Sequence, residues 1–404
     1  MCNSILLPFE YEATMKNSNR REFLKKTAAT GLITGAGLAA ASLFPRRIFA
    51  EDKKKSGGPV YRELGSTGLK VTEVSFGVMN TRDPELIQAG FDAGMNYFDT
   101  AHGYMNGVNE EVLGEVLKKN GRNKAYIATK VHCKNRNAAE VRRMMELSLK
   151  RLQTDHVELL FMHMPEHGSD IMVEEYMKVF EKAKKDGLCR FIGVSTHKNH
   201  AETINAAVDS KFWEAVLVGY NYQSPKNVTT AIERARKAGL AVIAMKTQAD
   251  GAGYPGHKMG NISSNQAALK WVLQNKNVDT AIPGVRTFEQ FTENIAVMGM
   301  KMSFFDRKTL IRHAESLKGN YCRGVAGCTE CGGQCPFGVD ICDLNRCLGY
   351  AYGYGNLALA KENYERLSPS SRVERCSNCD ECLVKCANGI DLSDTVRRAR
   401  ELFA

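Results

Sequence analysis

Eight short apolar runs rich in β-branched residues alternate with helix-like stretches along the middle of the chain, at 74–79, 97–101, 125–130, 157–163, 191–195, 215–221, 241–245 and 280–285. Continuous apolar runs read as strands covered on both faces, the environment of a parallel sheet wrapped by helices. The intervening stretches carry helix punctuation. Asp83 is an N-cap followed by Pro84, with Gly94 beyond the end; Asn109 precedes Val112, Leu113, Val116 and Leu117 on one face, stopped by Asn120 and Gly121. Eight such units predict an α/β chain closed as a (β/α)8 TIM barrel rather than an open sheet. Turn residues Gly65 and Gly68 within 61–71 predict a hairpin capping the barrel's N-terminal end.

The 404 residues exceed what a barrel needs, and the surplus divides the chain into 1–50, a linker at 51–59, the barrel at 60–318 and a C-terminal domain at 319–404. Residues 19–25 read Asn-Arg-Arg-Glu-Phe-Leu-Lys, 28–44 are uncharged, and Ile48-Phe49-Ala50 precede Glu51. This resembles a twin-arginine export signal cleaved after Ala50, so a periplasmic or otherwise extracytoplasmic location is expected. Gly31, Gly35 and Gly37 dilute the run too much for a lasting anchor, and no membrane span is expected after signal removal. The net charge of +10 falls to +6 beyond residue 50, a mild excess without any nucleic-acid module, so no nucleic-acid partner is expected.

Barrel enzymes place their chemistry at the C-terminal ends of strands, and Asp99, Tyr104, Lys130 and His163 fall there in the first four units. A phenol is a poor proton donor near neutrality; a neighbouring ammonium favours phenolate and lowers its pKa, and a carboxylate holds the ammonium. Tyr104, Lys130 and Asp99 suit those parts, while His163 suits a hydrogen bond to a carbonyl oxygen on which charge builds. The segments Tyr-Arg-Glu-Leu-Gly-Ser-Thr-Gly-Leu-Lys-Val from Tyr61, Phe-Asp-Thr-Ala-His-Gly-Tyr ending at Tyr104, and Gly193-Val194-Ser195 resemble the aldo/keto reductases. That resemblance runs from about Tyr61 to Asn294. It implies reversible carbonyl/alcohol redox on a small-molecule substrate with NADP or NAD, with Asp99, Tyr104, Lys130 and His163 as the catalytic tetrad.

The resemblance also implies a dinucleotide site at Ser195, Thr196, Met245, Arg286, Glu293 and Asn294. Here the chain departs from the family. Met245 replaces a stacking aromatic, Leu217 an expected Gln, and Gly284 and Gln290 the basic residues that grip a 2′-phosphate, leaving Arg286 as the substitute clamp.

Ten of the 13 cysteines lie between Cys322 and Cys386. Cys376, Cys379, Cys382 and Cys386 have the spacing of a bacterial ferredoxin run, and Cys322, Cys328, Cys331 and Cys335, followed by Pro336, form a second run with a widened first gap. Zinc prefers two separated pairs, and disulfides have no use for three-cysteine runs. Two [4Fe-4S] clusters on a small α-rich, ferredoxin-like domain are therefore expected. The last cysteine of each run crosses over, giving Cys322, Cys328, Cys331 and Cys386 to one cluster and Cys376, Cys379, Cys382 and Cys335 to the other. Cys342 and Cys347 are spare, and the Tyr/Gly-rich stretch from Leu348 to Gly355 is expected to pack against the barrel. The combined expectation is an exported oxidoreductase whose clusters exchange electrons with a partner protein. The alternative is a non-catalytic electron-transfer or ligand-sensing protein on a barrel that has lost its dinucleotide chemistry.

Overall fold

The computed structural model describes residues 58–249, 258–259, 262–378 and 382–404. The expected export signal lies outside the described residues, as does Cys379. An antiparallel hairpin opens the described chain, β1 (Tyr61–Glu63) with β2 (Lys70–Thr72), in the register Arg62 to Val71. The barrel strands follow as β3 (Phe76–Gly77), β4 (Tyr97–Asp99), β5 (Tyr126–Val131), β6 (Val157–His163), β7 (Cys189–Thr196), β8 (Ala215–Gly219) and β9 (Ala241–Met245). After a small hairpin of β10 (Lys258–Met259) and β11 (Ile262–Ser263) comes the last barrel strand, β12 (Thr280–Ala281). The eight barrel strands pair in parallel from β3 to β12, and bridges Val74–Ala281 and Gly77–Gly284 join the ends. The closed (β/α)8 barrel anticipated from the alternation is present.

Helices cross over between the strands: α1 (Pro84–Asp92), α2 (Val108–Asn120), α3 (Ala138–Arg151), α4 (Glu174–Lys185), α5 (His200–Ser210), α6 (Lys226–Lys237) and α7 (Ser264–Gln274). Asp83 caps α1, accepting the Glu85 N–H, with Pro84 in the first turn. α2 begins one residue before Asn109. Gly107 (φ 95°) turns the chain in a left-handed conformation and its α-carbon lies against the Arg151 guanidinium, so Asn109 sits inside the helix. There its amide donates to the Val78 and Thr81 carbonyls at 2.8 Å each and ties α2 to the end of β3.

The barrel interior is filled by side chains from alternate positions, among them Tyr97, Leu159, Phe161, Leu217, Ile243 and Met245, and the hairpin plugs the bottom with Leu64, Leu69 and Val71. Gly193 makes room for Phe161, whose ring carbon would stand 2.6 Å from any β-carbon there. Asp279 staples the bottom: one carboxylate oxygen accepts the N–H groups of Gly65 and Val242 at 2.9 and 2.8 Å, and the other meets Arg236 at 3.0 Å.

Beyond α8 (Phe288–Ile295) and α9 (Phe304–Ser316) the chain is α-rich, with α10 (Ile341–Leu348), a π-helical turn at Gly349–Gly353, α11 (Leu357–Glu365) and α12 (Leu392–Phe403), and no strand among the described residues. Residues 54–404 form one compact unit. No helix among the described residues is long and apolar enough to cross a membrane.

Burial lifts the Asp279 carboxyl to about 6 despite its donors. The folded chain therefore holds a proton there that the unfolded chain releases, a contribution present below pH 4 and lost as pH rises through 6, roughly 3 kcal/mol in all. Urea unfolding of Asp279→Asn between pH 4 and 6.5 is expected to lose that part of the pH slope.

Candidate active site

Adjacent parallel strands bring the four expected residues to one end of the barrel. Past Asp99 the chain keeps following β5, with the Thr100 N–H on the Ala128 carbonyl at 2.9 Å and the His102 N–H on the Lys130 carbonyl at 3.0 Å. It then turns at Tyr104, where Met105 and Asn106 take left-handed backbone angles, φ 50° and 54°. The Lys130 ammonium is 1 % exposed and donates to Asp99 Oδ1, to the Thr100 carbonyl at 2.6 Å and to Tyr104 Oη at 3.4 Å. His163, at the end of β6, lies edge-on to the Tyr104 ring at 5.9 Å between centroids, and its Nε2 is buried without a partner. All four expected residues therefore converge.

The electrostatics differ from the sequence expectation in one respect. Lys130 touches Tyr104, yet burial, reinforced by the Asp99 charge, pushes the phenol well above 10 rather than below it. Burial likewise lowers Lys130 and raises Asp99, each opposed by the other's charge. His163 is driven well below 6.5, first by burial and then by the neighbouring His132, His197 and Lys130. At neutral pH the site thus holds a neutral phenol and a neutral imidazole beside a buried ion pair.

Sequence reasoning missed His132 and His197, whose rings stand 4.9 and 5.6 Å from His163. Both sit just past a strand end, the same positional signal that marked Lys130 and His163. It also missed the cover over the site. A cavity of only about 20 Å³ lies above Tyr104 and His163, closed by Tyr350, Leu359, Glu362, Asn363 and Arg366 from the C-terminal helices. Arg366 pairs with Glu362 and meets His132 Nε2 at 3.1 Å.

The residues expected to hold a dinucleotide lie around the same barrel end. The Ser195 hydroxyl is buried without a partner, whereas Thr196 donates to the Lys198 carbonyl at 2.5 Å. Met245 is buried in the barrel core cluster. Arg286 donates to the Tyr354 carbonyl at 3.0 Å, and Gln290 accepts the Arg286 N–H at 2.9 Å. Asn294 accepts from Gln248 at 2.7 Å, and the Glu293 carbonyl accepts from Gln266 at 3.1 Å. Lys246 stands between the Tyr350 and Tyr354 rings, 5.0 and 4.7 Å from their centroids, so the Tyr/Gly stretch packs on the barrel as expected.

Among the cysteines, Cys342 lies on α10 between the two runs, with its thiol beside those of Cys322 and Cys331. Cys335, Cys376 and Cys382 line a separate cavity of about 260 Å³. Cys328 follows a short turn with its N–H on the Arg323 carbonyl, and the Cys386 thiol accepts the Asn388 N–H at 3.4 Å. No group of three or more His, Cys, Asp or Glu residues is arranged to hold a metal ion among the described residues.

Residues 76–253 match the model of the aldo/keto reductase family. The chain carries an aldo/keto reductase family domain. It is 27 % identical over 301 residues to the uncharacterized oxidoreductase YrpG of Bacillus subtilis, covering 60 % of this chain and 92 % of that one. It is 23 % identical over 304 residues to probable aldo-keto reductase 1 of Glycine max, covering 61 % and 87 %. The crystal structure of an aldo-keto reductase from Klebsiella pneumoniae in complex with NADPH superposes with a TM-score of 0.54 at 26 % identity, over 63 % of this chain and 95 % of that one. All four converging residues lie within the aldo/keto reductase match, and the covering helices lie beyond it.

A phenol held well above 10 stays protonated through neutrality, so it remains an acid there. Carbonyl reduction is expected to keep a flat kcat from pH 6 to 9, and oxidation of the matching alcohol, which needs the phenolate, to rise with pH across that range in steady-state assays.

Proposed function

We propose that this chain is an oxidoreductase of the aldo/keto reductase type that interconverts a carbonyl and its alcohol with a nicotinamide dinucleotide, NADP or NAD. The observation that carries the reading is the contact of the buried Lys130 ammonium with both Asp99 and Tyr104, beside an unpartnered His163 Nε2. A reduced nicotinamide, when bound, supplies a hydride. The chain's own part is to orient the carbonyl oxygen with His163 and to give it the Tyr104 proton, while the Lys130 ammonium stabilises the phenolate left behind by a charge–charge contact. The donor set fits such a group at its ring end, since the buried Ser195 hydroxyl has no other partner. Lys246 and Arg286 are the cations that would take its phosphates; here Lys246 donates to the Tyr354 hydroxyl and Arg286 to the Tyr354 carbonyl.

The proposal extends to the cysteines. Cys322, Cys328, Cys331 and Cys386 would hold one [4Fe-4S] cluster and Cys335, Cys376, Cys379 and Cys382 a second, the two exchanging electrons with a partner protein; the spacing of the two runs supports the reading, as does the cavity shared by Cys335, Cys376 and Cys382. Export by the twin-arginine route, which carries folded proteins, is part of the same reading.

In the full-length protein, Tyr104→Phe is expected to lower kcat for carbonyl reduction by at least about 100-fold, the usual size of a lost general acid, with NADPH affinity by fluorescence unchanged. Undiminished turnover would remove Tyr104 as the proton donor. Anaerobically purified protein is expected to contain eight iron atoms and eight acid-labile sulfides; an iron-free, fully folded chain would end the cluster reading.

A further inference from the structure

Beside the covered tetrad lies a roomier space. A cavity of about 440 Å³ shares Gly103, His163, Glu362 and Arg366 with the small one over Tyr104, and the Lys130 and His163 side chains form part of its wall. That volume suits a small metabolite. The rest of its wall is unusually basic: Arg136, Arg143, Arg151 and Arg366 face it together.

Carboxylates compensate only some of these charges. Arg151 meets Glu110 at 3.4 Å and the His102 carbonyl at 3.0 Å, and Arg366 pairs with Glu362. Glu140, the other acid in the wall, is occupied in the capping box of α3, accepting the Asn137 N–H at 2.9 Å. Arg136 donates only to the Lys134 carbonyl, at 3.2 Å, and Arg143 has no hydrogen bond or ion pair among the described residues. The histidines register the resulting field: His102 is pushed down to about 4 by burial and then by Arg151 and Arg136, and His132 falls by burial and then by Arg366 and Arg136.

A concave wall with two uncompensated guanidinium groups attracts and orients an anion, because a guanidinium offers a planar pair of donors matched to two oxygens of a carboxylate or phosphate. We infer that the substrate of this site is a carbonyl compound bearing an oxyanion, a carboxylate or a phosphate, which Arg136 and Arg143 receive while the carbonyl lies against His163 and Tyr104. The inference rests on the carbonyl-reductase reading and adds the substrate class to it. Redox balance is unchanged by the anion: hydride from the reduced dinucleotide goes to the carbonyl carbon, the π pair moves to oxygen, and oxygen takes the Tyr104 proton.

Two measurements on the full-length protein test it. Calorimetry with malonate and with inorganic phosphate is expected to show binding of at least one, weakened at least 10-fold in an Arg136→Gln/Arg143→Gln double variant, with the stronger of the two identifying the anion. Steady-state reduction with NADPH of glucuronate against glucose, and of dihydroxyacetone phosphate against dihydroxyacetone, is expected to favour an anionic member at least 10-fold in kcat/KM, and the double variant to bring that ratio toward one. Neutral members reduced as well as their anionic partners, or a ratio the double variant leaves untouched, would overturn the inference. So would absence of anion binding, even with neutral carbonyls turning over. Anion binding that depends on both arginines, without reduction of any carbonyl, would support the anion site and overturn the reductase reading instead.

Discussion

A lysine ammonium that is 1 % exposed is the constraint on which the site depends. Removing such a charge from water is costly unless partners of opposite character surround it, and Lys130 has two, the Asp99 carboxylate and the Thr100 carbonyl. These belong to the neighbouring strand end, so the charge ties β4 to β5 at the point where the chain turns toward Tyr104. The phenol then lies within reach of the ammonium as a consequence of satisfying that charge. The remaining Asp99 oxygen is buried without a partner, so the carboxylate leans on Lys130 alone among side chains.

Around this buried pair the molecule divides its roles between the barrel and the helices after residue 319. The barrel supplies the reactive groups, and the later helices decide what reaches them. Tyr350, Leu359 and Arg366 close the space over Tyr104, whereas the arginine-lined side stays open beside Lys130 and His163. Further ties hold the cover down: Lys198 pairs with Asp340 and lies 3.6 Å from Asp343, and Tyr321 Oη accepts from Asn221 at 3.4 Å. A ligand therefore meets two surfaces of different character, an aromatic one over Lys246 and a guanidinium one over α3.

Much of this was legible in the residues because the relevant signals are local. A continuous apolar run declares a strand covered on both faces, and a polar residue ending such a run declares the catalytic rim; Asp99, Lys130 and His163 were found in that way. The Asp83-Pro84 helix start was equally plain. What local pattern could not carry was desolvation. A lysine beside a tyrosine suggests an acidified phenol, but the burial that reverses the shift comes from residues about 250 positions later in the chain. α2 starts ahead of Asn109, from a left-handed Gly107, and the Asn109 amide serves the barrel instead.

The staple at the barrel bottom bears on how the chain comes to be folded at all. The Gly65 amide reaches its Asp279 acceptor across 214 residues of chain, and Arg62 reaches the Val278 and Leu273 carbonyls across 216 and 211. Loop closure over such spans yields no reward until its far end exists, so the hairpin cannot seat until the chain has been made past Asp279. During synthesis the first strands therefore wait with an open edge for their last neighbour, and it is in that interval, before β12 leaves the ribosome, that this chain is most exposed to mispairing.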